Sequence, residues 1–287
     1  MNMTADQRNN KDQWSSEKYA TSAAFVPLLT TKVLSYLNPS PTDRILDIGC
    51  GDGPLTAKIA ATVPQGEVVG VDSSPSMIHT AQTQHSSTPN ISFHIADATA
   101  LPISASGPLA PSTFDKIFSN AALHWILRSP TTRHSVFRAL HALLKPNGRL
   151  VFEMGGAGCV AEVHAALTGA LVAFGYASSF AEARESSPWY FADVGAMRQL
   201  LEGAGFEVEV CEKEYRPTEL TRNEGGGLAG WVRLMGDSFL RTVPEGEKRE
   251  EVVQWVVEAC RGACEREDGS WWLGYVRLRV VARKPPA

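Results

Sequence analysis

The sequence predicts an α/β protein with one doubly wound, mostly parallel seven-stranded sheet and a helical cap. Short β-rich runs alternate with segments of helical period from Arg44 onward, which is typical of βαβ units around a buried sheet. The 287 residues fit one such sheet carrying insertions. Two long stretches, 156–190 and 216–272, have no place in the sheet. Stretches of that length in a compact domain usually carry structure or function of their own, so both are interpreted as a cap.

The first five strands follow from runs of β-branched and aromatic residues bounded by turn signals. They are predicted at 44–48, 67–71, 91–95, 114–119 and 149–154. A helix over about 54–62 separates the first two strands, and the next helix opens with a serine cap and Pro75 in its first turn. A further helix begins near His134 and ends at a Lys-Pro-Asn-Gly turn before the fifth strand.

The second half of the chain departs from this simple alternation. A helix over 193–203 leads to a sixth strand of alternating polarity at 206–212, and the last strand is predicted at 275–284. An amphipathic helix over 21–37 follows a polar arm. The predicted organisation is an N-terminal arm and helix (1–43), a core (44–155), a two-part cap (156–190 and 216–272), and the remaining core helix and strands (191–215 and 273–287).

Composition and charge exclude several classes of protein. Lys and Arg total 27 against 31 Asp and Glu, so the net charge of −4 gives no basic footprint for nucleic acid. Five scattered cysteines without a CxxC pair indicate neither a disulfide framework nor a zinc cluster, and no metal is expected. The polar N-terminus lacks a secretory signal, and polar residues interrupt the apolar segment 157–177. We therefore expect a cytoplasmic protein without a membrane anchor.

The densest motif is Asp-Ile-Gly-Cys-Gly-Asp-Gly at 47–53, where the first strand ends and a helix begins. In an open α/β sheet, this crevice is where a ligand binds. Glycines at 49, 51 and 53 permit a tight turn and let backbone N–H groups approach that ligand. A dinucleotide fingerprint needs GxGxxG, but position 54 is proline, so the spacing here is GxGxG.

The charges around this motif distinguish between ligands. Asp47, Asp52, Asp72 and Asp97 lie near one predicted edge of the sheet. Four carboxylates suit a cationic ligand better than a doubly anionic pyrophosphate, and S-adenosylmethionine carries a sulfonium and an ammonium against one carboxylate. Asp72 ends the second strand, 19 residues beyond Gly53, where an acid can accept both hydrogen bonds of a ribose diol.

The segments RILDIGCGDG and VGVDSSPSMI together resemble the cofactor half of class I S-adenosylmethionine-dependent methyltransferases, over about residues 40–155. The resemblance implies a Rossmann-like fold and places the three glycines at the methionine part of the cofactor. It also implies Asp72 at the ribose, Ser73 and Met77 beside the adenosine, Asp97 at the adenine amino group, and the backbone of Asn120 facing the methionine part. The cofactor residues implied in this region are Asp47, Gly49, Cys50, Gly51, Gly53, Asp72, Ser73, Met77, Asp97, Ala98 and Asn120.

A narrower resemblance connects DQWSSEKY, SNAALHWI, YRPTEL, GWVRLMGDSFL and DGSWWLGYVRLRVVARK to the trans-aconitate methyltransferase-like group. It implies that Trp14 and Tyr19 close over the cofactor. Members of that group carry Arg-Thr-Arg-Pro in the first helix, where this chain has Ala-Ala-Phe-Val-Pro at 23–27. The arginines that could pair with a substrate carboxylate are missing there, so a tricarboxylate substrate is less well supported. Three arginines of the second cap segment could replace them, although surface charge is the more ordinary role for each: Arg216, Arg222 and Arg233.

The candidate acceptor site is read from one histidine and several aromatic residues. His124 lies just past the fourth strand, near where the methyl group should point, and could act as a general base or hydrogen-bond the nucleophile. The alternative is that His124 has its hydrogen bonds satisfied within the protein and only forms part of the wall beside Trp125. Aromatic residues in or beside the insertions indicate either a roof over an apolar substrate or an ordinary core between cap and sheet. The predicted substrate residues are His124, Trp125, Trp189 and Trp231.

We therefore predict an S-adenosylmethionine-dependent methyltransferase that acts on a small molecule and releases S-adenosylhomocysteine. O-methylation is favoured, and a carboxylate is among the candidate acceptors because it needs no catalytic base. Two alternatives stay open, namely a non-catalytic S-adenosylmethionine-binding regulatory or partner subunit and, more weakly, a dehydrogenase. No motif specifies the acceptor or an oligomeric state, because helical cap segments carry no transferable code.

Overall fold

The computed structural model of the protein describes residues 30–222 and 226–286. Its strands are β1 Arg44–Ile48, β2 Glu67–Asp72, β3 Ile91–Ile95, β4 Phe114–Asn120, β5 Leu144–Gly155, β6 Glu207–Glu219 and β7 Trp272–Arg283. They form one sheet in the order β3-β2-β1-β4-β5-β7-β6. Strand β7 is antiparallel to both of its neighbours, and the remaining pairs are parallel. The predicted fold class is confirmed.

Helices cover both faces of this sheet and form a cap over one end. They are α1 Thr31–Leu37, α2 Pro54–Ala60, α3 Pro75–Gln84, α4 Leu123–Ile126, α5 Arg133–Leu143, α6 Ala161–Ala173, α7 Phe180–Glu185, α8 Val194–Gly203, α9 Gly227–Met235, α10 Asp237–Leu240 and α11 Glu247–Cys264. Successive residues of β1 enter different hydrophobic clusters, Ile45 with α1 and α2 and Leu46 with α5 and α8. The alternation of strand side chains thus explains why the sheet needs helices on both sides.

The fifth strand is longer than predicted, and the difference has a clear cause. Helix α5 ends at Leu143, and the Lys-Pro-Asn-Gly segment lies within β5 instead of forming a turn between helix and strand. The Asn147 N–H donates to the Lys284 carbonyl and the Lys284 N–H donates to the Gly148 carbonyl, so the segment pairs with the C-terminal strand region. The pairing of β4 with β5 shifts register between Phe114 and Lys116. Pairing partners far along the chain therefore override the local turn signal.

The sixth and seventh strands also extend beyond their predicted ends. Strand β6 continues to Glu219, and β7 already begins at Trp272, where the two are still paired. The segment after residue 212 is rich in charge, which hides its strand character, but β6 is an edge strand and its exposed face tolerates charged side chains. The second cap segment consequently begins after Glu219, later than the predicted position 216.

The cap consists of α6 and α7, which follow β5, and α9 to α11, which connect β6 with β7. Helices α6 and α11 pack against each other, and apolar residues of α6, α9 and α11 share one buried cluster that includes Leu167, Val232 and Val253. The predicted helix over 21–37 is described only from Thr31, and the arm before it lies outside the described residues.

Several expectations about the whole chain can be compared with the described part. Its five cysteines are all free, and four are buried. No cluster of His, Cys, Asp and Glu side chains able to hold a metal occurs among residues 30–222 and 226–286. Within the same ranges, no helix combines the length and apolar character that crossing a membrane requires.

Candidate functional site

A cavity lies between the carboxyl ends of the central strands and the cap. Its volume is about 380 Å³. One end is lined by the turns after β1, β2, β3 and β4, and the other by α4, the segment before α8, α9 and β7. Because β1 lies between β2 and β4, the strand order reverses there, and this is the position at which open α/β sheets bind ligands.

The glycine turn after β1 shapes the first end of the cavity. The N–H groups of Gly49 and Cys50 donate to the Val71 carbonyl, which ties the turn to β2. Gly49 has a φ of +71°, and a Cβ there would lie 2.2 Å from the Cβ of Ala122. Gly51 has a φ of +57° but faces open space in the cavity. The first glycine therefore allows close packing, whereas Gly51 leaves room for a ligand.

Gly53 differs from the other two glycines of the motif. It does not line the cavity, and a Cβ at this position would lie 2.7 Å from the Phe93 ring. Its φ of +87° places it at the N-terminus of α2. The structure thus assigns Gly53 a packing and helix-start function, and the predicted contact with the methionine part of a cofactor stays a prediction.

Asp72 connects the glycine turn with the start of α3. Its Oδ2 accepts from the Gly51 N–H at 3.1 Å, and its Oδ1 accepts from the Ser74 N–H at 2.9 Å. The Asp72 carboxylate lines the cavity, as do Ser73 and Met77. These hydrogen bonds hold the carboxylate at the end of β2, the position predicted for the ribose.

Asp47 is the buried acid of this end, with 2% of its surface exposed. Its Oδ2 accepts from the Thr56 hydroxyl at 2.7 Å. Burial raises the pKa of Asp47 to about 7; the Thr56 hydrogen bond opposes this rise, and the charge of Asp72 adds to it. The amide oxygen of Asn120 is buried without a hydrogen-bond partner and belongs to the same cavity wall. A buried acid and an unpartnered acceptor together fit a cationic ligand group, such as the ammonium of S-adenosylmethionine.

We call the end of the cavity at the strand termini, where the cofactor is predicted to bind, the cofactor end. Its outer rim is formed by the residues that follow β3. Asp97 is exposed, and its Oδ1 accepts from both the N–H and the hydroxyl of Thr99, which starts a short 3-10 turn at Ala98–Ala100. Asp97 and Ala98 line the cavity. The structure therefore brings together all the predicted cofactor residues except Gly53, and except Trp14 and Tyr19, which lie outside the described residues.

The cap end of the cavity is aromatic. The ring of Trp189 stacks on Phe191 at 5.6 Å between centroids and meets Trp125 edge-on at 5.7 Å. Trp231 lies 5.9 Å from Trp189, and all four rings line the cavity. The three predicted tryptophans thus form one wall, although they come from three separate segments of the chain. Phe191 is one of the aromatic residues considered from the sequence as a roof over the substrate, although it is not among the four predicted substrate residues.

His124 lies in this wall with only 8% of its surface exposed. The Gly155 N–H donates to its Nδ1 at 3.4 Å, so the proton of the neutral ring belongs on Nε2. Burial lowers the pKa of His124 to about 3, and the charge of Arg277 adds to this decrease. A side chain with this pKa is a neutral hydrogen-bonding group near neutral pH and a poor general base.

Arg277 is the site residue that sequence reasoning missed. Within the described ranges, it is the only Lys or Arg side chain that lines the cavity. The signal available in the sequence is the pair of arginines at alternate positions in an otherwise apolar strand, YVRLRVV. Such a pattern indicates buried charge, but it does not indicate which cavity the charge faces.

The three arginines proposed from the sequence as carboxylate partners lie elsewhere. Arg222 pairs with Glu219 and Asp268 at the surface, and Arg233 pairs with Glu250. Arg216 donates to Glu153 at 3.0 Å. None of the three lines the cavity formed by the described residues.

Comparisons with known proteins identify the family of the chain. The family described as a methyltransferase domain matches residues 45–148. The chain is 34% identical over 275 residues to an uncharacterised methyltransferase of Schizosaccharomyces pombe, covering 96% of this chain and 99% of that protein. It is 31% identical over 242 residues to a trans-aconitate 2-methyltransferase of Methylobacterium radiotolerans, covering 83% and 86%. The solved structure of the YcgJ protein of Bacillus subtilis has a TM-score of 0.58 at 16% identity, covering 89% of this chain and 97% of that one, which supports the fold.

Proposed function

The chain belongs to the class I S-adenosylmethionine-dependent methyltransferases, near the trans-aconitate methyltransferase-like group, and we propose that it methylates a carboxylate oxygen of a small organic acid. It is an enzyme that uses S-adenosylmethionine, which removes the regulatory-subunit and dehydrogenase alternatives considered from the sequence. The acceptor class is the new element of this proposal, and it follows from the charges in the cavity.

One observation carries the proposal: the cavity is acidic at one end and basic at the other. Four aspartates, at positions 47, 52, 72 and 97, line the end beneath the strand termini. The opposite end is lined by aromatic rings and one guanidinium, that of Arg277. The acidic end suits the cationic methyl donor, and the basic end suits an anionic acceptor.

The residues at the acidic end fit the donor. S-adenosylmethionine supplies a methyl group that is already activated by its positive sulfur. We propose that Asp47 and Asn120 contact its ammonium group, Asp72 its ribose and Asp97 its adenine. The unpartnered amide oxygen of Asn120 and the buried carboxyl of Asp47 support this placement.

A carboxylate acceptor also agrees with the state of His124. A carboxylate oxygen attacks the methyl carbon as the sulfur–carbon bond breaks, the electron pair of that bond stays on sulfur, and no proton has to be removed. A neutral His124 with its proton on Nε2 would donate a hydrogen bond and align the acceptor. A phenol or alcohol acceptor would instead need a base, for which a pKa of about 3 is poorly suited.

The curated relatives support an acid without naming one for this chain. A relative that is 31% identical is named a trans-aconitate 2-methyltransferase, which acts on a carboxylic acid. The Arg-Thr-Arg-Pro stretch typical of that group is replaced here by Ala-Ala-Phe-Val-Pro at 23–27, outside the described residues. Together with the aromatic wall, this replacement favours an acid with fewer charges and a larger apolar body.

The proposal is tested by incubating the purified protein with methyl-labelled S-adenosylmethionine and a panel of acceptors. The panel contains carboxylic acids of one to three carboxyl groups, phenols, amines and thiols of similar size. We expect labelled products from acids only, and we expect mild alkali to release the label as methanol, since methyl esters are base-labile. Transfer to a phenol, amine or thiol with no transfer to any acid would refute a carboxylate acceptor.

A further inference from the structure

The Arg277 side chain is a buried cation without a dedicated partner. Only 3% of its surface is exposed. Its guanidinium donates no hydrogen bond to any of the described residues, and its Nε is buried and unsatisfied. A buried guanidinium is normally paired and hydrogen-bonded, because desolvation of an unpaired charge is costly. The guanidinium therefore keeps hydrogen-bond donors that an anion in the cavity could satisfy.

The nearby carboxylate of Glu153 does not fill this need. Its Oε2 accepts from the Nε of Arg279 at 2.6 Å, and its Oε1 accepts from Arg216 at 3.0 Å. Arg277 lies at 3.7 Å from the same Oε1, beyond hydrogen-bond distance. Arg279 is further paired with Glu214. Arg279 is therefore paired with two carboxylates, whereas Arg277, which lines the cavity, is hydrogen-bonded to neither of them.

The surroundings of Arg277 fix its position. The guanidinium carbon lies 4.6 Å from the centre of the Tyr275 ring, a cation–π distance. The Tyr275 hydroxyl accepts from the indole N–H of Trp231 at 2.7 Å, which ties the ring to helix α9. The opposite residue on β5 is Gly155, whose N–H orients His124. Arg277 is thus held beside a fixed ring and opposite the residue that orients His124, the proposed hydrogen-bond donor to the acceptor.

We propose that Arg277 binds the reacting carboxylate of the acceptor and makes the enzyme distinguish the acid from its methyl ester. This inference rests on the proposed function and adds the recognition residue. Methyl transfer converts the carboxylate into a neutral ester, so the ion pair with Arg277 exists before the reaction and is lost after it. Arg277 therefore favours binding of the ionised substrate. The neutral product binds more weakly because it cannot form this ion pair.

The inference is tested by calorimetry on the protein saturated with S-adenosylhomocysteine. The probes are benzoate and cinnamate, each compared with its neutral methyl ester. For the natural sequence, we expect at least one acid to bind at least tenfold more tightly than its ester. In Arg277→Gln, we expect acid and ester to bind within about twofold of each other, with unchanged affinity for S-adenosylhomocysteine. Arg277→Lys keeps the charge without the planar fork and should show intermediate discrimination.

Arg279→Lys serves as the matched control, since Arg279 lies two residues along the same strand and contacts Glu153 but does not line the cavity. It should lower the unfolding temperature and leave the ratio of acid to ester affinity unchanged. A ratio that persists in Arg277→Gln, or that is close to one in the natural sequence, overturns the inference. Binding of acids without their methylation would instead refute the proposed function, so the two failures are distinguishable.

Discussion

The two ends of the cavity are built in different ways. The cofactor end is made mainly of backbone and short polar side chains from contiguous motifs at strand ends, such as 47–53 and 72–77. The acceptor end is made of large side chains from α4, the segment before α8, α9 and β7. In the proposed function, a donor common to the whole family thus binds at local turns, whereas the acceptor is surrounded by residues that only the cap brings together.

The two ends also differ in their buried ionisable side chains, an acid at one end and a base at the other. At the cofactor end, burial makes Asp47 reluctant to ionise, and a cationic ligand would favour its ionised form. At the acceptor end, the guanidinium of Arg277 is buried, and the surrounding residues satisfy it only in part. The cofactor end is therefore suited to a cation and the acceptor end to an anion. Substitutions at one end should leave ligand binding at the other end unchanged.

The largest effect is expected from a methyl group in the glycine turn. Gly49→Ala should lower the free energy of unfolding by about 3 kcal/mol, since its Cβ would overlap Ala122 and its φ is positive. Gly51→Ala has the same φ problem but no clash, so it should cost about 1 kcal/mol. Urea unfolding of both variants measures the difference.

The Gly51→Ala variant should also weaken ligand binding at the cofactor end. The Cβ of Gly51→Ala would point into the cavity, so we expect the affinity for S-adenosylmethionine to fall about tenfold, the loss of roughly one hydrogen bond. Calorimetry with S-adenosylmethionine provides the measurement. Equal destabilisation by the two substitutions, or an unchanged affinity in Gly51→Ala, would contradict the different functions assigned to the two glycines.

The next effect is a pH dependence confined to the cofactor end. The pKa of Asp47 is about 7 in the free protein, so its carboxylate becomes available to a cation as the pH rises through 7. We expect the affinity for S-adenosylmethionine to increase about tenfold between pH 6 and pH 8, accompanied by proton release. Asp47→Asn should bind weakly and without this dependence. Calorimetry in two buffers of different ionisation enthalpy tests the release, and its absence would remove Asp47 from the site.

The same shift affects the stability of the free protein with the opposite sign. The folded carboxyl of Asp47 keeps its proton up to a pKa of about 7, whereas the ordinary value is 3.8. Between these values the folded state binds more protons than the unfolded state, so this group lowers the free energy of unfolding as the pH rises from about 4 to about 7. Comparison with Asp47→Asn in urea isolates the contribution.

An effect of similar size is expected at His124, in the acceptor end. Because its pKa is about 3, the ring is neutral throughout pH 5 to 8, and kcat for an acid substrate should not vary there. His124→Ala should lower kcat about tenfold through loss of one hydrogen bond, and His124→Gln, which keeps a donor, should lose less. An acidic limb near pH 6.5 that disappears in His124→Ala would instead identify a general base.

Much of the fold was predictable because local signals and final structure agree there. The alternation of β-rich runs with helical segments located β1 to β4 to within a residue at each end. The extra lengths of β5, β6 and β7 were not predictable, since they depend on pairing between segments far apart in the sequence. A charged run such as that after residue 212 becomes a strand only when a neighbour supplies its hydrogen bonds.

The candidate site shows the same division. Asp72 and the glycine turn were predicted from spacing, charge and a family resemblance, and Trp125, Trp189 and Trp231 were chosen as acceptor residues without evidence that their rings meet. Arg277 was missed in favour of Arg216, Arg222 and Arg233. The sequence gives no measure of which arginine finds a carboxylate nearby, and that pairing decides which charge is left for a ligand.

By itself, the amino-acid sequence determined the sheet, the glycine turn after β1 and the acidic character of that end, because these depend on contacts between residues close together in the chain or at the ends of adjacent strands. Only the tertiary structure decided what the opposite end presents to an acceptor. There, the strand register places Glu153 beside Arg279, and the cap places Trp231 against Tyr275. These long-range pairings satisfy most of the neighbouring hydrogen-bonding groups. The guanidinium of Arg277 is not satisfied in this way, and it lines the cavity.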